Sequence, residues 1–336
     1  MTTEAIPVIF DTDGGVDDYS ALWYGLVAPE LEVVAVTTVN GVLFADATAK
    51  NCARVLAAAG RSDVPVAVGA EKPIGPAPPI PPATLMHGED PLASVEDSGT
   101  PASPVEESAA DLIVRLCRER PGELTLVAVG PFTNVALALR AEPRLPELVK
   151  ELVIMGGVAI PPGNATAFGE FNIVVDPVAA NEMAVAPWSR PPRMVGLDVT
   201  LGATMGEEEF AVLDARRTPQ AAFMAGPFAH YRVTSEIEAY EGGCPSHDTV
   251  TMMAVANPDL LTYEELPMSV DTGGGAAWGA TVVDFRARWI AQGKVPAELA
   301  NLARAQFYEG KGVWRVALGY DLDAVRAEFR RFYGDL

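Results

Sequence analysis

One stretch near the beginning of the chain, residues 6–18, constrains the fold more than any other segment. It opens with the apolar run Ile6 to Phe10, which is typical of a buried strand. Four aspartates follow within eight residues and surround a Gly-Gly pair: Asp11, Asp13, Asp17 and Asp18. Beyond them, apolar residues recur at the spacing of a helix. The acidic loop is therefore predicted to lie between the carboxyl end of a strand and the start of a helix, where open α/β sheets bind their ligands.

Four negative charges in so short a loop repel one another unless a positive charge lies between them. A hard divalent cation with oxygen ligands meets that requirement, and Gly14 and Gly15 allow the sharp backbone turn that such a loop needs. The alternative is that Asp17 and Asp18 only cap the helix and interact favourably with its dipole. That alternative accounts for two of the four aspartates, so we predict a metal site in this loop.

The overall composition limits the classes of protein to which the chain can belong. Its 336 residues are 49% hydrophobic and contain no uninterrupted apolar run of the roughly 18 residues that a membrane-spanning helix needs. We expect one domain over residues 1–336 with an ample core. The net charge of −21 argues against nucleic-acid polymers and anionic membranes as partners. Three scattered cysteines form no disulfide framework, and the first residues lack a signal-peptide pattern, so a cytoplasmic location is expected.

Beyond the acidic loop, short apolar strands alternate with amphipathic helices. Strands are predicted at 31–39, 64–68, 123–129, 152–155, 193–197, 268–271, 279–285 and 313–318. Helices are predicted at 46–60, 105–120, 133–139, 207–216, 219–241, 248–256 and 323–332, and another starts at Asp176-Pro177. The first of these helices has Asp46 placed as its N-cap. This alternation predicts the α/β class, with one mainly parallel open sheet, flanking helices and a Rossmann-like core.

A proline-rich segment at residues 69–104 interrupts the alternation and is predicted to be a long surface loop. It carries His87, one of three histidines in the chain. Elsewhere, polar residues follow predicted strands or precede predicted helices, in the loops 11–18, 129–134 and 155–172 and at 247–248. Because the carboxyl ends of parallel strands meet at one edge of a sheet, we expect these loops to gather around one site.

Two enzyme families begin with a strand and an acidic loop of this kind. Phosphatases of the haloacid-dehalogenase family open with Asp-x-Asp-Gly and bind Mg²⁺, but they also need a downstream Gly-Asp-x-x-x-Asp motif, which this chain lacks. Nucleoside hydrolases open with Asp-Thr-Asp-Pro-Gly-x-Asp-Asp and bind Ca²⁺. Residues 11–18 resemble the second pattern, with Gly14 in place of the proline.

Several further blocks extend this resemblance from about residue 6 to residue 333. Residues 152–176 are similar to the central block of the nucleoside hydrolases, including Met-Gly-Gly, Gly-Asn-Ala-Thr, Glu-Phe-Asn and Asp-Pro-x-Ala-Ala. Residues 196–200, 247–248 and 281–285 also look like family segments. These blocks occur in the family order, so the chain resembles a nucleoside hydrolase of the inosine- and uridine-preferring type.

The resemblance implies hydrolysis of the N-glycosidic bond of ribonucleosides to free base and ribose. Such a reaction passes through an oxocarbenium-like sugar, with a carboxylate activating water as in inverting glycosidases. The family would hold that water with Ca²⁺, and the matching ligands here are Asp13, Asp18, Asp248 and the backbone carbonyl of Val129. Asp13 would also be the general base. Asp248 has an alternative role as the N-cap of the following helix.

The resemblance also implies which residues bind the nucleoside. Asp17 would bind the ribose 2′-hydroxyl, Met155 and Phe171 would pack against the sugar, and His87 and Tyr240 would lie beside the base. The 5′- and 3′-hydroxyls would be bound by Asn164, Glu170 and Asn172. His247 would protonate the leaving base as an imidazolium. Asn172 is counted with Asp13 and His247 among the catalytic residues.

Several departures from the family pattern keep alternatives open. Val42 stands where the family has an asparagine near the ribose 2′-hydroxyl, Thr249 replaces a proline, and Cys244 has no family role. One alternative is therefore a hydrolase of this fold that acts on a modified or non-ribose N-glycoside. Another is a metal-dependent nucleoside- or sugar-binding protein without turnover. The expected partners are a small nucleoside and further copies of the chain, in a homodimer or homotetramer.

Overall fold

The computed structural model describes residues 4–76, 83–92, 95–235 and 242–336. The strands in these residues are β1 (Ile6–Thr12), β2 (Leu31–Thr38), β3 (Val66–Val68), β4 (Thr125–Ala128), β5 (Glu151–Met155), β6 (Arg193–Val195), β7 (Thr204–Met205), β8 (Cys244–Pro245), β9 (Leu261–Val270), β10 (Thr281–Val283) and β11 (Gly312–Tyr320).

The α-helices are α1 (Val16–Val27), α2 (Ala45–Ala58), α3 (Thr84–His87), α4 (Ala109–Glu119), α5 (Thr133–Ala141), α6 (Leu145–Leu148), α7 (Phe171–Val175), α8 (Pro177–Val185), α9 (Leu197–Thr200), α10 (Glu207–Ala215), α11 (Pro219–Ser235), α12 (His247–Ala256), α13 (Ala287–Ala291), α14 (Ala300–Tyr308) and α15 (Leu322–Asp335). None of the helices in the described residues is long and apolar enough to cross a membrane.

The main sheet has the strand order β10-β9-β11-β6-β5-β4-β1-β2-β3. Neighbouring strands from β3 through to β11 are parallel, whereas β9 is antiparallel to both β11 and β10. The predicted fold class, a mainly parallel open α/β sheet with flanking helices, is therefore confirmed.

The strand order reverses direction between β1 and β4. From β1 the chain proceeds outward to β2 and β3, and β4 then returns to the other side of β1. Asp11 pairs with Ala128 in this register, and the Val129 amide donates to the Asp11 carbonyl at 2.8 Å. A Cβ on Gly130 would lie 2.9 Å from Asp13 Cβ, so glycine permits the two strand ends to approach. Ligands bind at such switch points in open sheets.

Helices cover both faces of the sheet because side chains alternate along each strand. Val8 and Phe10 of β1 belong to one buried cluster, in which Trp23 of α1 and Phe329 of α15 also lie. Ile9 points to the opposite face, into a second cluster with residues from α4, α5 and α8. The acidic loop after β1 is therefore held by a strand that is buried on both faces.

Several predicted boundaries differ from the observed ones. Helix α2 has Phe44 as its N-cap, so the prediction that Asp46 caps it was wrong, and Asp46 lies in the first turn. Helix α4 begins only at Ala109 because the Ser108 hydroxyl caps it, while Val105 pairs with β3 instead. The N-cap position of helix α12 is Ser246 rather than Asp248, and the Ser246 side chain forms no capping hydrogen bond.

Some elements exceed or fall short of the predictions. Helix α7 lies inside a segment predicted as loop, α3 forms a short helix inside the proline-rich segment, and β9 starts seven residues before the predicted strand at 268–271. The long helix predicted at 219–241 is observed at Pro219–Ser235, and the rest of that prediction lies outside the described residues.

Candidate active site

A cavity of about 290 Å³ opens at the switch point between β1 and β4. Its lining contains the following predicted site residues: Asp13, Asp17, Asp18, His87, Val129, Met155, Asn164, Glu170, Phe171, Asn172, His247 and Asp248. Tyr240, which was predicted to contact a base, lies outside the described residues. The loops that were expected to gather at one edge of the sheet therefore do so.

Asp18 is fixed by the backbone of its own loop. Its Oδ2 accepts the Gly15 amide at 2.9 Å, and its Oδ1 accepts the Asp13 amide at 3.2 Å and the Gly14 amide at 3.3 Å. The Thr12 hydroxyl also donates to Asp18 Oδ1. These donors hold the carboxylate at the start of α1, as in a capping box.

Gly14 has a left-handed backbone conformation, with a φ of +88°. Proline, whose ring fixes φ near −65°, cannot adopt this conformation. A Cβ at this position would also lie 2.6 Å from the Thr48 hydroxyl oxygen. With Gly14 in place of the family's proline, the acidic loop therefore has a backbone conformation at this position that a proline could not adopt.

Helices α1 and α12 bring Asp17 and Asp248 to the same point. The Asp248 amide donates to Asp17 Oδ2 at 3.4 Å, and the Thr249 hydroxyl donates to the Asp17 carbonyl at 3.4 Å. Carboxylate oxygens of Asp17, Asp18 and Asp248 lie within 4.8 Å of one another, and all three side chains are buried. We call these three residues the carboxylate cluster.

The carboxylate cluster fits a hard divalent cation. Oxygen ligands about 2.3–2.6 Å from one ion lie at most roughly 5 Å from each other, and the 4.8 Å limit in the cluster satisfies this. Burial, with the charge of Asp18, raises the pKa of Asp17 to about 7. Burial and the neighbouring aspartates raise the pKa of Asp248 well above its usual range. Without a cation these carboxylates favour bound protons, and a cation would replace them.

The carboxylate cluster differs from the predicted set of ligands in one member. Asp17 belongs to it, although it was predicted to bind a sugar hydroxyl, while Asp13 lies beside it. The Val129 carbonyl, also predicted as a ligand, accepts the Asn172 side-chain amide at 2.7 Å. A carbonyl oxygen has two lone pairs, so this bond leaves one for a second partner.

Asp13 is held by the segment that connects β2 with α2. Its Oδ2 accepts the Val42 amide at 2.9 Å, and its carbonyl accepts the Leu43 amide and the Thr48 hydroxyl, each at 3.1 Å. A Cβ on Gly41 would lie 2.0 Å from Asp13 Oδ2, so only glycine lets this segment close over the carboxylate. Burial and the charge of Asp18 raise the pKa of Asp13 well above its usual range, which suits a general base.

Two asparagines and a glutamate form the opposite wall. Asn172 Nδ2 bridges the strand ends by donating to the carbonyls of Val129 and Met155, at 2.7 and 3.2 Å. Asn164 Oδ1 accepts the Phe171 amide at 3.0 Å. Their remaining groups, the Asn172 oxygen and the Asn164 amide nitrogen, are respectively an acceptor and a donor. Glu170 is the N-cap of α7 and accepts the amides of its first turn and of Gly157.

Both histidines in the cavity are held through Nδ1. The Val16 amide donates to His87 Nδ1 at 3.1 Å, and the His87 ring stacks on Tyr231 with centroids 5.1 Å apart. His247 Nδ1 lies 2.7 Å from the Thr200 hydroxyl oxygen. Burial lowers the pKa of each ring to about 4. This environment favours neutral rings at pH 7 over the imidazolium that was expected for His247.

Comparison with known proteins decides the family. Over residues 8–323 the chain matches the family model described as inosine-uridine preferring nucleoside hydrolase. The chain belongs to this family. It is therefore an enzyme, an N-glycosyl hydrolase, and the phosphatase alternative falls.

Named relatives agree with the assignment to the nucleoside hydrolases. The pyrimidine-specific ribonucleoside hydrolase RihA of Citrobacter koseri is 38% identical over 282 residues, which cover 84% of this chain and 89% of that protein. The inosine-uridine preferring nucleoside hydrolase of Crithidia fasciculata is 34% identical over 83% of this chain and 88% of that protein. Among solved structures, the plant nucleoside hydrolase PpNRh1 aligns with a TM-score of 0.85 at 27% identity, covering 98% of this chain and 99% of that one.

The cavity of this nucleoside hydrolase also contains residues that sequence analysis did not predict: Val42, Ala83, Met86, Ala165 and Tyr231. Val42 was identified only as a departure from the family pattern. Tyr231 was predicted to lie in a helix. It could have been predicted as a cavity residue only if the face of α11 that packs against α3 were known. That information comes from packing rather than from the local sequence.

Proposed function

We propose that the chain hydrolyses ribonucleosides to free base and ribose, using water activated at a Ca²⁺ site and Asp13 as the general base. The observation that carries the proposal is that the carboxylate cluster and Asp13 line the same cavity as the two histidines and the polar residues of α7. The names of the two relatives in the comparison support ribonucleosides as the substrate class.

The residues proposed to hold Ca²⁺ are those of the carboxylate cluster, together with Asp13 and the Val129 carbonyl. They supply oxygen atoms alone, which Ca²⁺ prefers, with no nitrogen or sulfur ligand of the kind that zinc sites use. When bound, the cation would orient a water molecule and make it more acidic, so that a carboxylate base could remove its proton.

Asp13 is proposed to take the proton from that water at its carboxylate. The Val42 amide donates to Asp13 Oδ2, and the lack of a side chain at Gly41 lets this segment lie close to the carboxylate. The Asp13 carboxylate is therefore already in place and need not reorganise during the reaction. Its raised proton affinity makes it a stronger base than an exposed aspartate. The negative charge that surrounds the cavity also favours an oxocarbenium-like sugar.

The sugar is proposed to lie between the carboxylate cluster and the wall formed by α7. Asp17 is proposed to accept from the 2′-hydroxyl, and Asn164, Glu170 and Asn172 to bind the 5′- and 3′-hydroxyls. Within the described residues, no hydrogen bond engages the Asn172 side-chain oxygen or the Asn164 amide nitrogen, and this acceptor and donor suit hydroxyl groups, which both donate and accept. Met155 and Phe171 would pack against the apolar face of the ring.

Val42 favours a second candidate substrate class. Its side chain lines the cavity beside Asp13, where the family pattern has a hydrogen-bonding asparagine. An isopropyl group forms no hydrogen bond to a sugar hydroxyl. Nucleosides with a modified or non-ribose sugar are therefore the alternative to ribonucleosides, with the same bond cleaved.

The test is a panel of nucleosides with the released base and the released sugar measured separately. The panel contains uridine, cytidine, inosine, adenosine and guanosine, together with the 2′-deoxy and arabinosyl forms of uridine and inosine. We expect equimolar base and ribose from at least one ribonucleoside, loss of release with a chelator, and recovery with added Ca²⁺. Release from only the modified sugars would favour the second candidate, and release that no chelator affects would contradict the Ca²⁺ site.

A further inference from the structure

Both cavity histidines turn the Nδ1 edge of the ring into the protein. His87 Nδ1 meets the amide of Val16, and His247 Nδ1 meets the hydroxyl of Thr200. Val16 and Thr200 are buried and are not part of the cavity lining. Because both rings do line the cavity, their Nε2 edges are the ones available to a substrate.

The hydrogen-bond partner of Nδ1 decides where a neutral ring carries its hydrogen. A backbone amide can only donate, so Nδ1 of His87 is an acceptor and the hydrogen of the neutral ring is on Nε2. The Thr200 hydroxyl can donate or accept, but it is fully buried, and His247 Nδ1 is its hydrogen-bond partner within the described residues. If Nδ1 donated to it, the hydroxyl hydrogen would be buried without an acceptor, which is unfavourable.

We propose that Thr200 is a positioning residue that holds His247 in the tautomer with its hydrogen on Nε2. Thr200 donates to Nδ1, and the N–H of Nε2 then faces the cavity. His87 and His247 together present two N–H donors beside the substrate. A hydroxyl that donates to Nδ1 needs a lone pair on that nitrogen, so this contact itself selects the neutral ring with its hydrogen on Nε2.

What this tautomer does for the reaction rests on the proposed function, the hydrolysis of nucleosides. A departing nucleobase gains negative charge on its ring nitrogens and carbonyl oxygens, and two N–H donors stabilise that charge by hydrogen bonding without a proton transfer. The leaving group must therefore offer lone pairs to this wall of the cavity. With the hydrogen on Nδ1 instead, His247 would face the base with a lone pair and would repel it.

The first experiment reads the tautomer directly by NMR of protein labelled with ¹⁵N in the histidine rings. The chain has three histidines, so the spectrum is simple, and loss of one signal set in H87Q, H230Q and H247Q assigns each ring. In the Ca²⁺-treated protein at pH 7.5 we expect pyridine-type Nδ1 and pyrrole-type Nε2 for His247. The variant T200V keeps the side-chain shape but removes the donor, and we expect a mixture of tautomers; T200S should restore the pattern.

Thr251 provides a matched control. Its hydroxyl is also buried and also contacts His247, but it donates to the backbone carbonyl at 3.0 Å rather than to the ring. T251V should therefore leave the ¹⁵N pattern unchanged. A wild-type His247 with pyrrole-type Nδ1 would overturn the proposal. So would a T200V spectrum that shows the wild-type tautomer.

The second experiment compares two leaving groups. We expect T200V to lower kcat on a nucleoside that wild type cleaves by about tenfold, less than the roughly 10²–10³-fold cost of removing a positioned donor outright, because part of the protein keeps the donor tautomer. We expect little change in p-nitrophenyl riboside cleavage, because p-nitrophenolate leaves without help. Equal losses of kcat on both substrates would show that the Thr200 hydroxyl only stabilises the fold, and would overturn its role in setting the His247 tautomer. If wild type cleaved no nucleoside, the proposed function would fail, while the NMR result would still decide the tautomer.

Discussion

Asp13 and Asp18 lie in the same loop but have different surroundings. Asp18 accepts three backbone amides and one hydroxyl, so its carboxylate is bound into the start of α1. Asp13 accepts the single amide of Val42 at Oδ2 and faces the cavity. A carboxylate with few fixed donors and a raised pKa can exchange a proton with a water molecule in the cavity. This contrast supports Asp13, rather than Asp18, as the general base.

The substitution Asp13→Asn tests this role. Asparagine keeps the size of the side chain but cannot accept the proton of water, so we expect kcat on nucleosides to fall by at least about 10²-fold, with a smaller change in KM. The measurement is steady-state hydrolysis at saturating Ca²⁺. Asp63→Asn is the matched control, because that carboxylate is exposed and pairs with Arg61 at the surface, and it should leave kcat unchanged. Near-normal turnover in Asp13→Asn would show that another group is the base.

The sequence could predict the residues of the site but not the division of roles among them. Four aspartates around two glycines predict a buried charged loop, and the resemblance to a family identified the other side chains. Whether Asp17 or Asp13 joins the carboxylate cluster depends on where α12 places Asp248, which is a contact across 231 positions in the chain. The space at Gly14 likewise depends on a distant residue, because an added Cβ there would lie 2.6 Å from the Thr48 hydroxyl oxygen.

At the scale of elements, helix α2 anchors the segment that carries His87. Arg54 donates to the carbonyls of Leu92 and Val95, at 3.2 and 2.7 Å, and pairs with Asp97 at 2.5 Å. Asn51 on the same helix donates to Asp90 at 3.0 Å. These bonds fix the chain just beyond α3, whose His87 forms part of the cavity wall.

Removing this anchor should loosen the wall beside the base. We expect Arg54→Ala to raise KM for nucleosides several-fold while kcat falls less, because the water-activating carboxylates lie on other elements. Arg61→Ala is the matched control, since Arg61 lies just beyond the same helix and pairs with exposed Asp63 rather than with the segment that carries His87. The measurement is KM and kcat for both variants. An unchanged KM in Arg54→Ala would show that the anchor does not control the cavity.

Elements with strong local patterns were predicted well from the sequence, and those set by distant contacts were not. The apolar run of β1 and the Asp176-Pro177 start of α8 each contain their own signal, and α8 begins there as predicted, with the Asp176 side chain as its N-cap. Helix α7 has only five residues and depends on the Glu170 cap and on Asn172, which spans the ends of β4 and β5. No periodicity in so short a segment could have indicated it.

At the scale of the whole molecule, the strand order creates the site. The alternation of strands and helices predicted a parallel sheet, but it could not show that β4 returns beside β1 and opens the crevice between them. A single domain over residues 1–336, a cytoplasmic location and a homodimer or homotetramer stay predictions. The confirmed class explains why residues from α1, α3, α7 and α12 meet in one cavity.

The buried aspartates make the stability of the whole chain depend on pH. Burial raises the pKa of Asp11 and of Asp17 to about 7 in the folded state, against about 3.9 in an unfolded chain. Between these values the folded state binds more protons than the unfolded state, so the free energy of unfolding falls as pH rises from about 4 to above 7. Without a cation, we expect these sites to destabilise the protein at pH 8 relative to pH 6. A bound cation should remove this loss by compensating the ionised carboxylates.

The most direct test of a cation at the carboxylate cluster is therefore the thermal unfolding of chelator-treated protein at pH 8 and pH 6, with and without added Ca²⁺. At a concentration about 100-fold above its Kd, a ligand of the folded state adds roughly 2.7 kcal/mol, which corresponds to a rise in Tm of roughly 4 °C for a chain of this size. We expect that rise at pH 8 and a smaller one at pH 6, and we expect Asp248→Asn to lose most of it. Equal Tm values with and without Ca²⁺ at pH 8 would contradict a cation site built from Asp17, Asp18 and Asp248.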